Sequence, residues 1–213
     1  VNAILQGWFV GSESGEVLAD IITGKANPSG KLPFTWPVSL NDVPAHRLNA
    51  YPGKWRADHK IIDEEYKEGL YIGYRGVDKF MTKPLFAFGH GLSYTSFKIT
   101  NLRADKHEMT RDGKITFTVN VKNTGKCEGS EVVQLYINDV KSSLPRPFKE
   151  LKGFAKVSLN SGESKDVSIT IDKASLSFYD DNKSEWFSES GAFKALIGNS
   201  SDHIIGEIGF VLR

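Results

Sequence analysis

Carboxylates are the side chains in the first third of the chain that could do chemistry. Two carboxyl groups held about 5–5.5 Å apart can serve as a nucleophile and as an acid/base. The candidates by residue type are Glu13, Glu16, Asp20, Asp63, Glu64, Glu65 and Glu68. Three of them are consecutive, at residues 63–65, and such a run is typical of a solvated charge cluster. We therefore interpret that run as surface charge and not as a catalytic group.

Histidine and cysteine add no recognisable metal site. The five histidines share no HxxxH or HxH spacing, and His90, between two glycines, is interpreted as a structural hydrogen-bonding residue. Cys127 is the single cysteine, so neither an intrachain disulfide nor a thiolate zinc site can form. We expect neither a metal nor another cofactor.

The first 30 residues predict short elements separated by Gly and Pro. Residues 3–9 are apolar and predict a buried strand. Ser12 or Ser14 could cap a helix that stops at Gly24. Residues 27–30, Asn-Pro-Ser-Gly, have the types found in a type I turn.

The next 65 residues have weaker patterns. Residues 32–36 alternate apolar and other types and predict a strand, whereas residues 39–63 predict a long loop. Residues 64–74 could hold a helical turn or a strand, and residues 86–94 form a Gly-rich bend. Because the first 95 residues are too short and too rich in Pro and Gly to close a core, we expect them to pack on an upstream segment or on the C-terminal half of the chain.

After Phe97 the pattern becomes that of β-strands. Ile115, Phe117, Val119 and Val121 alternate with polar residues, which places four apolar side chains on one face. The same alternation recurs at residues 133–137, 157–159, 167–171, 193–197 and 204–211. About seven short strands without intervening helices predict an antiparallel sandwich of two sheets.

Composition excludes several function classes. Lys plus Arg number 27 and Asp plus Glu 26, so a net charge of +1 provides no strong field to attract nucleic acid or an anionic membrane. No run of about 18 apolar residues predicts a membrane span. The chain begins in apolar sequence without the basic segment of a signal peptide, so we expect it to enter a fold part-way through a strand.

Several motifs in a fixed order resemble the C-terminal portion of glycoside hydrolase family 3, the β-glucosidases and β-xylosidases. They are GWFVG at residues 7–11, NPSGKLPFTWP at 27–37, EGLYIGYR at 68–75, FAFGHGLSYT at 86–95, VKNTG at 121–125, GSEVVQLY at 129–136, KELKGF at 149–154 and GES at 162–164. Each motif is weak alone, but the ordered set covers nearly the whole chain and is specific.

The resemblance implies a fold and a division into domains. Residues 1–95 resemble the end of the family's α/β sandwich and its connector, and residues 96–213 resemble a fibronectin type III-like domain. The expected fold class is therefore mainly β, a fibronectin-III/Ig-like antiparallel β-sandwich preceded by an incomplete α/β segment. The family's (β/α)8 barrel and the rest of its α/β sandwich would lie upstream, as partners of this chain.

The resemblance also implies an activity for the parent protein. Members are exo-acting retaining β-glycosidases that need no cofactor, and a β-glucosidase acting on an oligosaccharide or β-glycoside is favoured. The family's aspartate nucleophile and its usual acid/base glutamate both correspond to upstream positions. We therefore assign no catalytic residue here and expect the isolated chain to be inactive, with a structural role. Many members are periplasmic or secreted.

Two groups of side chains are candidates for other roles. His46, Arg47, Tyr51 and Trp55 could contact a sugar, because sugar rings stack on aromatics and their hydroxyls accept from Arg or His; a loop that merely covers a neighbouring domain is an equal alternative. Glu68 and Arg75 are expected to tie chain segments together as a structural connector, since Arg offers five donors.

A second functional class remains open. An Ig-like sandwich hosts many unrelated roles, so the chain could be a non-catalytic carbohydrate-binding or interaction module. Against it, residues 1–95 resemble a severed enzyme more than a linker. Trp186 and Phe187, which follow a turn, are interpreted as core or edge packing.

Overall fold

The computed structural model describes residues 2–213, and Val1 lies outside the described residues. Its helices are α1 (Ser14–Ile22), α2 (Pro44–Arg47), α3 (Tyr74–Phe80) and α4 (Lys173–Leu176), with a 3-10 turn at Leu40–Asp42. Its strands are β1 (Lys54–Trp55), β2 (Ile62–Asp63), β3 (Phe97–Ala104), β4 (Glu108–Met109), β5 (Lys114–Asn123), β6 (Gly129–Asp139), β7 (Glu150–Leu159), β8 (Ser164–Asp172), β9 (Phe178–Asp180), β10 (Glu185–Phe187), β11 (Gly191–Ser200) and β12 (His203–Leu212).

Two facing sheets form the sandwich. One has the order β4-β12-β11-β6-β7 and the other β3-β5-β8. All neighbours are antiparallel except the short β4, which pairs parallel to β12. Seven of these strands are eight residues or longer, and only the one-turn α4 interrupts them. The predicted mainly β sandwich is therefore confirmed.

The core lies between the sheets and comes from the alternating positions. Ile115, Phe117, Val119 and Val121 of β5 face inward, and the opposite sheet contributes the apolar positions of β6, β11 and β12. Phe117, Phe193 and Phe210 form an aromatic centre, with ring centroids 5.5 and 5.6 Å from Phe210. Burying such side chains contributes about 1.5–3 kcal/mol each, which makes this core the main source of stability in the chain.

The first 94 residues have almost no core of their own. Ala50 and Ala87 are their only residues among the buried hydrophobic positions of the described chain. Large apolar side chains are exposed instead, including Ile4, Trp8, Phe9, Ile22, Leu40, Tyr66, Ile72, Met81 and Leu92. This region therefore takes its shape from contacts with the sandwich.

Residues 3–9 do not form the predicted strand. They have no strand assignment, and Ile4 and Phe9 are exposed. A strand is stable only when its backbone groups pair with a neighbour, and nothing in residues 2–213 pairs with this stretch. The predicted helix is confirmed as α1, although none of its residues is buried. Its N-cap is Glu13 and not Ser12 or Ser14, and the N-cap side chain makes no hydrogen bond to the helix.

Two further predictions before residue 40 were wrong in detail. The backbone of residues 27–30 makes no turn, because the Asn27 side chain bonds distant segments instead. Residues 32–36 are not a strand of a sheet, but they run against residues 86–90. The contacts are one isolated bridge, Trp36 to Phe86, and two backbone bonds of Leu32, which donates to the His90 carbonyl and accepts from the Gly89 N–H. Non-local pairing of this kind leaves only a weak trace in local periodicity.

The predicted loop at residues 39–63 contains short elements. A 3-10 turn, α2 and the β1–β2 hairpin all fall within it. Of the helical turn or strand expected over residues 64–74, the structure shows hydrogen-bonded turns at residues 67–70 and no strand, and helix α3 begins at Tyr74. Within residues 2–213, no helix combines the length and apolar character that crossing a bilayer requires.

Candidate functional site

The four loop candidates do not converge on one point. His46, on α2, and Tyr51 pack edge to face with ring centroids 5.3 Å apart. Arg47 turns towards α3, where its guanidinium lies 5.2 Å from the centre of the Phe80 ring. Trp55, on β1, is 58% exposed and neighbours His59. His46 and Tyr51 thus form one small aromatic site, and Trp55 stands apart on the hairpin.

The acidic run at residues 63–65 is held by surface ion pairs. Two nitrogens of the Arg56 guanidinium donate hydrogen bonds to the Asp63 carboxylate. Glu65 pairs with Lys67 at 2.8 Å. The Lys67 ammonium lowers the pKa of Glu65. These groups are largely exposed, which agrees with the interpretation of the run as solvated charge.

Helix α3 presents one face to the sandwich. Tyr74 and Asp78 are four residues apart and Arg75 and Asp78 three apart, so they share that face. The Tyr74 hydroxyl accepts from the Leu151 backbone N–H at 2.8 Å. Its ring lies between those of Phe88 and Tyr136, with centroids at 5.3 and 5.6 Å. Tyr74 therefore fixes α3, and with it the connector that precedes the sandwich, on the outer side of β6 and β7.

Two ion pairs flank Tyr74. Arg75 pairs with Glu150 at 3.2 Å, and Asp78 pairs with Lys149. The helix and the start of β7 each carry one basic and one acidic residue, and each base pairs with the acid of the other segment. These two pairs set the register of α3 against β7. Arg75 thus joins the connector to the sandwich, whereas Glu68 is half-buried and its Oε2 atom has no hydrogen-bond partner among residues 2–213.

Behind these pairs lies a buried charge network. Arg146, 7% exposed at its side chain, contacts Asp139 at 3.1 Å and Glu150 at 2.6 Å, and it donates to the Leu176 carbonyl. Burial alone would raise the pKa of Glu150, but Lys152, Arg146 and Arg75 outweigh it and hold that pKa below the ordinary value. Burial lowers the pKa of Lys152. These carboxylates are engaged by cations, so the network positions chain segments.

The Asp78 carboxyl behaves differently. Burial raises its pKa in spite of the Lys149 ammonium beside it. The cost of removing this carboxylate from water therefore exceeds the gain from its partner.

Asn27 is a second joint between the connector and the sandwich. Its side-chain oxygen accepts from Ser93 and from the Tyr94 N–H, both at 2.9 Å, and its amide donates to the Glu128 carbonyl at 2.8 Å. Lys31 reinforces the joint through an ion pair with Glu131 at 2.6 Å. Cys127, the free exposed cysteine, lies beside this joint.

Sequence reasoning missed the residues that dock the connector. Tyr74 stands in the EGLYIGYR motif, and Lys149 and Glu150 open the KELKGF motif, but their pairing spans more than 70 residues. The available signal was a basic and an acidic residue on α3, Arg75 and Asp78, opposite the basic and acidic pair at residues 149–150 where β7 begins. Recognising it requires knowing that these two segments meet.

Two family models match the chain. Residues 1–94 match the glycosyl hydrolase family 3 C-terminal domain, and residues 131–201 match a fibronectin type III-like domain. The chain belongs to glycosyl hydrolase family 3. Helix α3 lies inside the first matched region, and it docks against β7, which lies inside the second.

Relatives with curated names agree. The family 3 chain is 46% identical to a beta-glucosidase of Bacteroides ovatus over 99% of its own length and 28% of that protein. It is 47% identical to thermostable beta-glucosidase B of Acetivibrio thermocellus, over 96% of its own length and 26% of that protein. The chain thus spans about a quarter of the length of these relatives.

Solved structures show the same architecture. A GH3 beta-glucosidase of Bifidobacterium adolescentis superposes with a TM-score of 0.87 at 33% identity, over 97% of this chain and 29% of the other. Beta-glucosidase 3B of Thermotoga neapolitana, solved in complex with glucose, gives 0.86 at 36% identity, over 99% of this chain and 28% of the other.

Proposed function

We propose that this chain is the C-terminal part of an exo-acting, retaining β-glucosidase that hydrolyses terminal β-linked sugars, and that it carries neither catalytic carboxylate. The observation that supports this most is the match over nearly the whole chain to about a quarter of proteins named beta-glucosidases. The acidic side chains with the lowest exposure each pair with a lysine or arginine; they are Asp139, Glu131, Asp180, Glu150 and Asp78.

The partners of the chain would be the upstream (β/α)8 barrel and the rest of the α/β sandwich. The exposed apolar surface of residues 2–94 supports this proposal. Trp8 and Phe34 pack edge to face at 5.5 Å yet stay largely open to solvent, and no residue of α1 is buried. Several large apolar side chains exposed in one region are typical of an interface.

The role of residues 96–213 would be to brace that assembly. Their sandwich has a complete core, whereas the preceding region is fixed to it by Asn27, Tyr74 and the ion pairs of α3. We place the domain boundary between residues 95 and 96, just before β3. His46 and Tyr51 are the side chains that would reach a substrate, with Arg47 and Trp55 as secondary contacts.

A chimera tests this function. The C-terminal quarter of the Bacteroides ovatus beta-glucosidase is replaced by this chain, and hydrolysis of an aryl β-glucoside is compared with that of the enzyme truncated at the same point. We expect the chimera to be active and the truncated enzyme inactive. A chimera that is folded by circular dichroism and monodisperse, but has no activity, would contradict the proposal.

A carbohydrate-binding role for the sandwich is the second candidate. The β9–β10 hairpin favours it, because Tyr179 and Trp186 form an exposed cross-strand pair with centroids 5.8 Å apart, and Trp186 is 72% exposed. Of the predicted core or edge packing, Trp186 therefore shows no core packing, and it lies on a strand of the two-stranded β9–β10 sheet. Retardation of residues 96–213 on glucan affinity gels, abolished by Trp186→Ala, would establish this role; unretarded migration would exclude it.

A further inference from the structure

Three cations surround the Glu150 carboxylate where α3 meets the start of β7. Arg146 donates to its Oε2 atom at 2.6 Å, whereas Arg75 Nη2 lies 3.2 Å and Lys152 Nζ 3.7 Å from its Oε1 atom. Because Arg75 and Lys152 approach the same oxygen from different segments, their charged groups lie close together. Like charges repel at such separations, so the arrangement favours more negative charge than Glu150 alone supplies.

The neighbouring carboxylates do not supply that charge. Asp139 already contacts Arg146 at 3.1 Å. Asp78 is held through both of its oxygens by Lys149. The three cations around Glu150 therefore face two carboxylates, which leaves this part of the surface with a net charge of +1.

Lys152 is the residue that a break in the β6–β7 register leaves unpaired. Leu151 lies opposite Tyr136 and Gly153 lies opposite Leu135, so no residue of β6 faces Lys152. A bulge of this kind re-aims a side chain, and bulges are over-represented beside functional sites. The Lys152 side chain remains 17% exposed, so it keeps contact with solvent.

Arg75 and Lys152 both have hydrogen-bond donors to spare. A guanidinium has five N–H donors and an ammonium three, yet within residues 2–213 neither side chain donates a hydrogen bond of ordinary geometry. The Arg75 side chain is 32% exposed, whereas that of Arg146 is 7% exposed. Burial lowers the pKa of Lys152, and the charges of Arg146 and Arg75 lower it further, although Glu150 opposes them. These are the signs of positive charge that is incompletely balanced.

We propose that Arg75 and Lys152 bind a small oxyanion of the phosphate or sulfate class. One anion oxygen accepts from an Arg75 N–H and another from Lys152 Nζ, and charge-assisted hydrogen bonds of about 2.7–2.9 Å let a tetrahedral anion reach both groups. The bound anion neutralises the excess positive charge and so stabilises the contact between α3 and β7. The proposal rests on the charges of this surface and not on the proposed glycosidase function.

Titration of the ¹⁵N-labelled full chain with sodium phosphate tests the proposal. Sodium chloride is lowered in step, so that the ionic strength and the general screening of charges stay constant. We expect saturable shifts of the Arg75 Nε–H signal and of the backbone amides of residues 74–76 and 150–153. The dissociation constant should be on the order of 1–10 mM for a ligand of this size.

Arg75→Gln and Lys152→Gln should each weaken phosphate binding about 10-fold, because each removes one charge-assisted hydrogen bond. Lys152→Gln removes a charge that burial penalises, so the fold should survive this substitution even if Arg75→Gln disturbs it. The matched control is Lys156→Gln, which makes the same change of charge at an exposed position on β7 where the lysine donates to Ser29 Oγ. It should change the affinity by less than about 2-fold.

Three results would overturn the proposal. They are an absence of saturable shifts, shifts centred away from α3 and the start of β7, and a loss of affinity in Lys156→Gln as large as that in Lys152→Gln. The last result would mean that phosphate responds to net charge and not to this site. The chimera assay measures the activity of the parent, and this titration measures binding of an anion that is not its substrate. Each can therefore fail without the other.

Discussion

Asp78 and Lys149 form a two-oxygen ion pair, with Lys149 Nζ 2.7 Å from Oδ1 and 2.5 Å from Oδ2. The lysine is 4% exposed, so its charge has little access to water. The contact joins α3 to the segment that opens β7 across 71 residues of sequence. Helix α3 is therefore docked by a charge pair in a setting where either charge alone is costly.

Lys149→Met should destabilise the chain by about 3–5 kcal/mol at pH 7, because it leaves the partly buried Asp78 carboxylate without a counter-charge. Urea unfolding followed by circular dichroism measures the change. The double variant Asp78→Asn/Lys149→Met should recover most of the loss, since it removes both buried charges. A double variant as unstable as the sum of the two single variants would contradict this coupling.

Glu150 predicts a dependence of stability on pH. Its folded pKa lies below the ordinary value of 4.5, so its contribution is fully present above that value and is lost as the pH falls through the folded pKa. The stability difference between the wild type and Glu150→Gln should therefore shrink as the pH is lowered from about 5 to about 3. A constant difference over that range would count against the charge network.

The contribution of Asp78 to stability should change with pH in the opposite direction. Because its folded pKa is raised, its contribution is present below the ordinary value of 3.8 and is lost as the pH rises through the folded pKa. The free energy of unfolding of the wild type, measured alone against pH, would contain the sum of the Glu150 and Asp78 contributions. The comparison must therefore use Glu150→Gln against the wild type at each pH.

Tyr74→Phe should destabilise the chain by about 1–3 kcal/mol, because it leaves the Leu151 N–H without its acceptor. Tyr179→Phe is the matched control, since Tyr179 lies on the exposed β9–β10 hairpin, and it should change stability by less than about 0.5 kcal/mol. Thermal unfolding of both variants and of the wild type measures these changes in stability. Equal effects would mean that the Tyr74 hydroxyl does not hold the connector.

Gly89→Ala should be more harmful than Gly162→Ala. Both glycines have a positive φ, +83° and +77°, so both substitutions strain the backbone. A Cβ at Gly89 would in addition collide with the side-chain amide of Gln134, whereas a Cβ at Gly162 meets nothing within 4 Å. Gln134 cannot easily yield, because it bonds the Asn199 carbonyl and the Tyr136 hydroxyl. The difference in unfolding free energy should be about 1–3 kcal/mol.

The sandwich was predictable from local pattern, but the docking of the connector was not. Alternation in β5 and β8 reports burial of one face, and those strands follow from it. Strands β6 and β11 are buried on both faces through their middles, and the ring of Tyr74 packs against that of Tyr136 of β6. Residues 3–9 show the limit: they are apolar enough for a strand, but a strand needs a partner that residues 2–213 do not provide. Apolar content indicates burial without saying what covers it.

Polar side chains were harder to assign than apolar ones. Asn27 has the composition of a turn, yet its amide bonds Ser93, Tyr94 and Glu128. The loop candidates were chosen by chemical type, and the structure brings only His46 and Tyr51 into contact with each other. Side-chain hydrogen bonds depend on which segments meet, and sequence spacing does not record those meetings.

Turnover by the isolated chain is the most direct test of its proposed place in a larger glycosidase. The purified chain, verified at 23.6 kDa by denaturing mass spectrometry, is incubated with an aryl β-glucoside at several protein concentrations. We predict no hydrolysis above the buffer blank, because both catalytic carboxylates would lie upstream. Hydrolysis that rises in proportion to the concentration of the mass-verified chain would contradict the proposal.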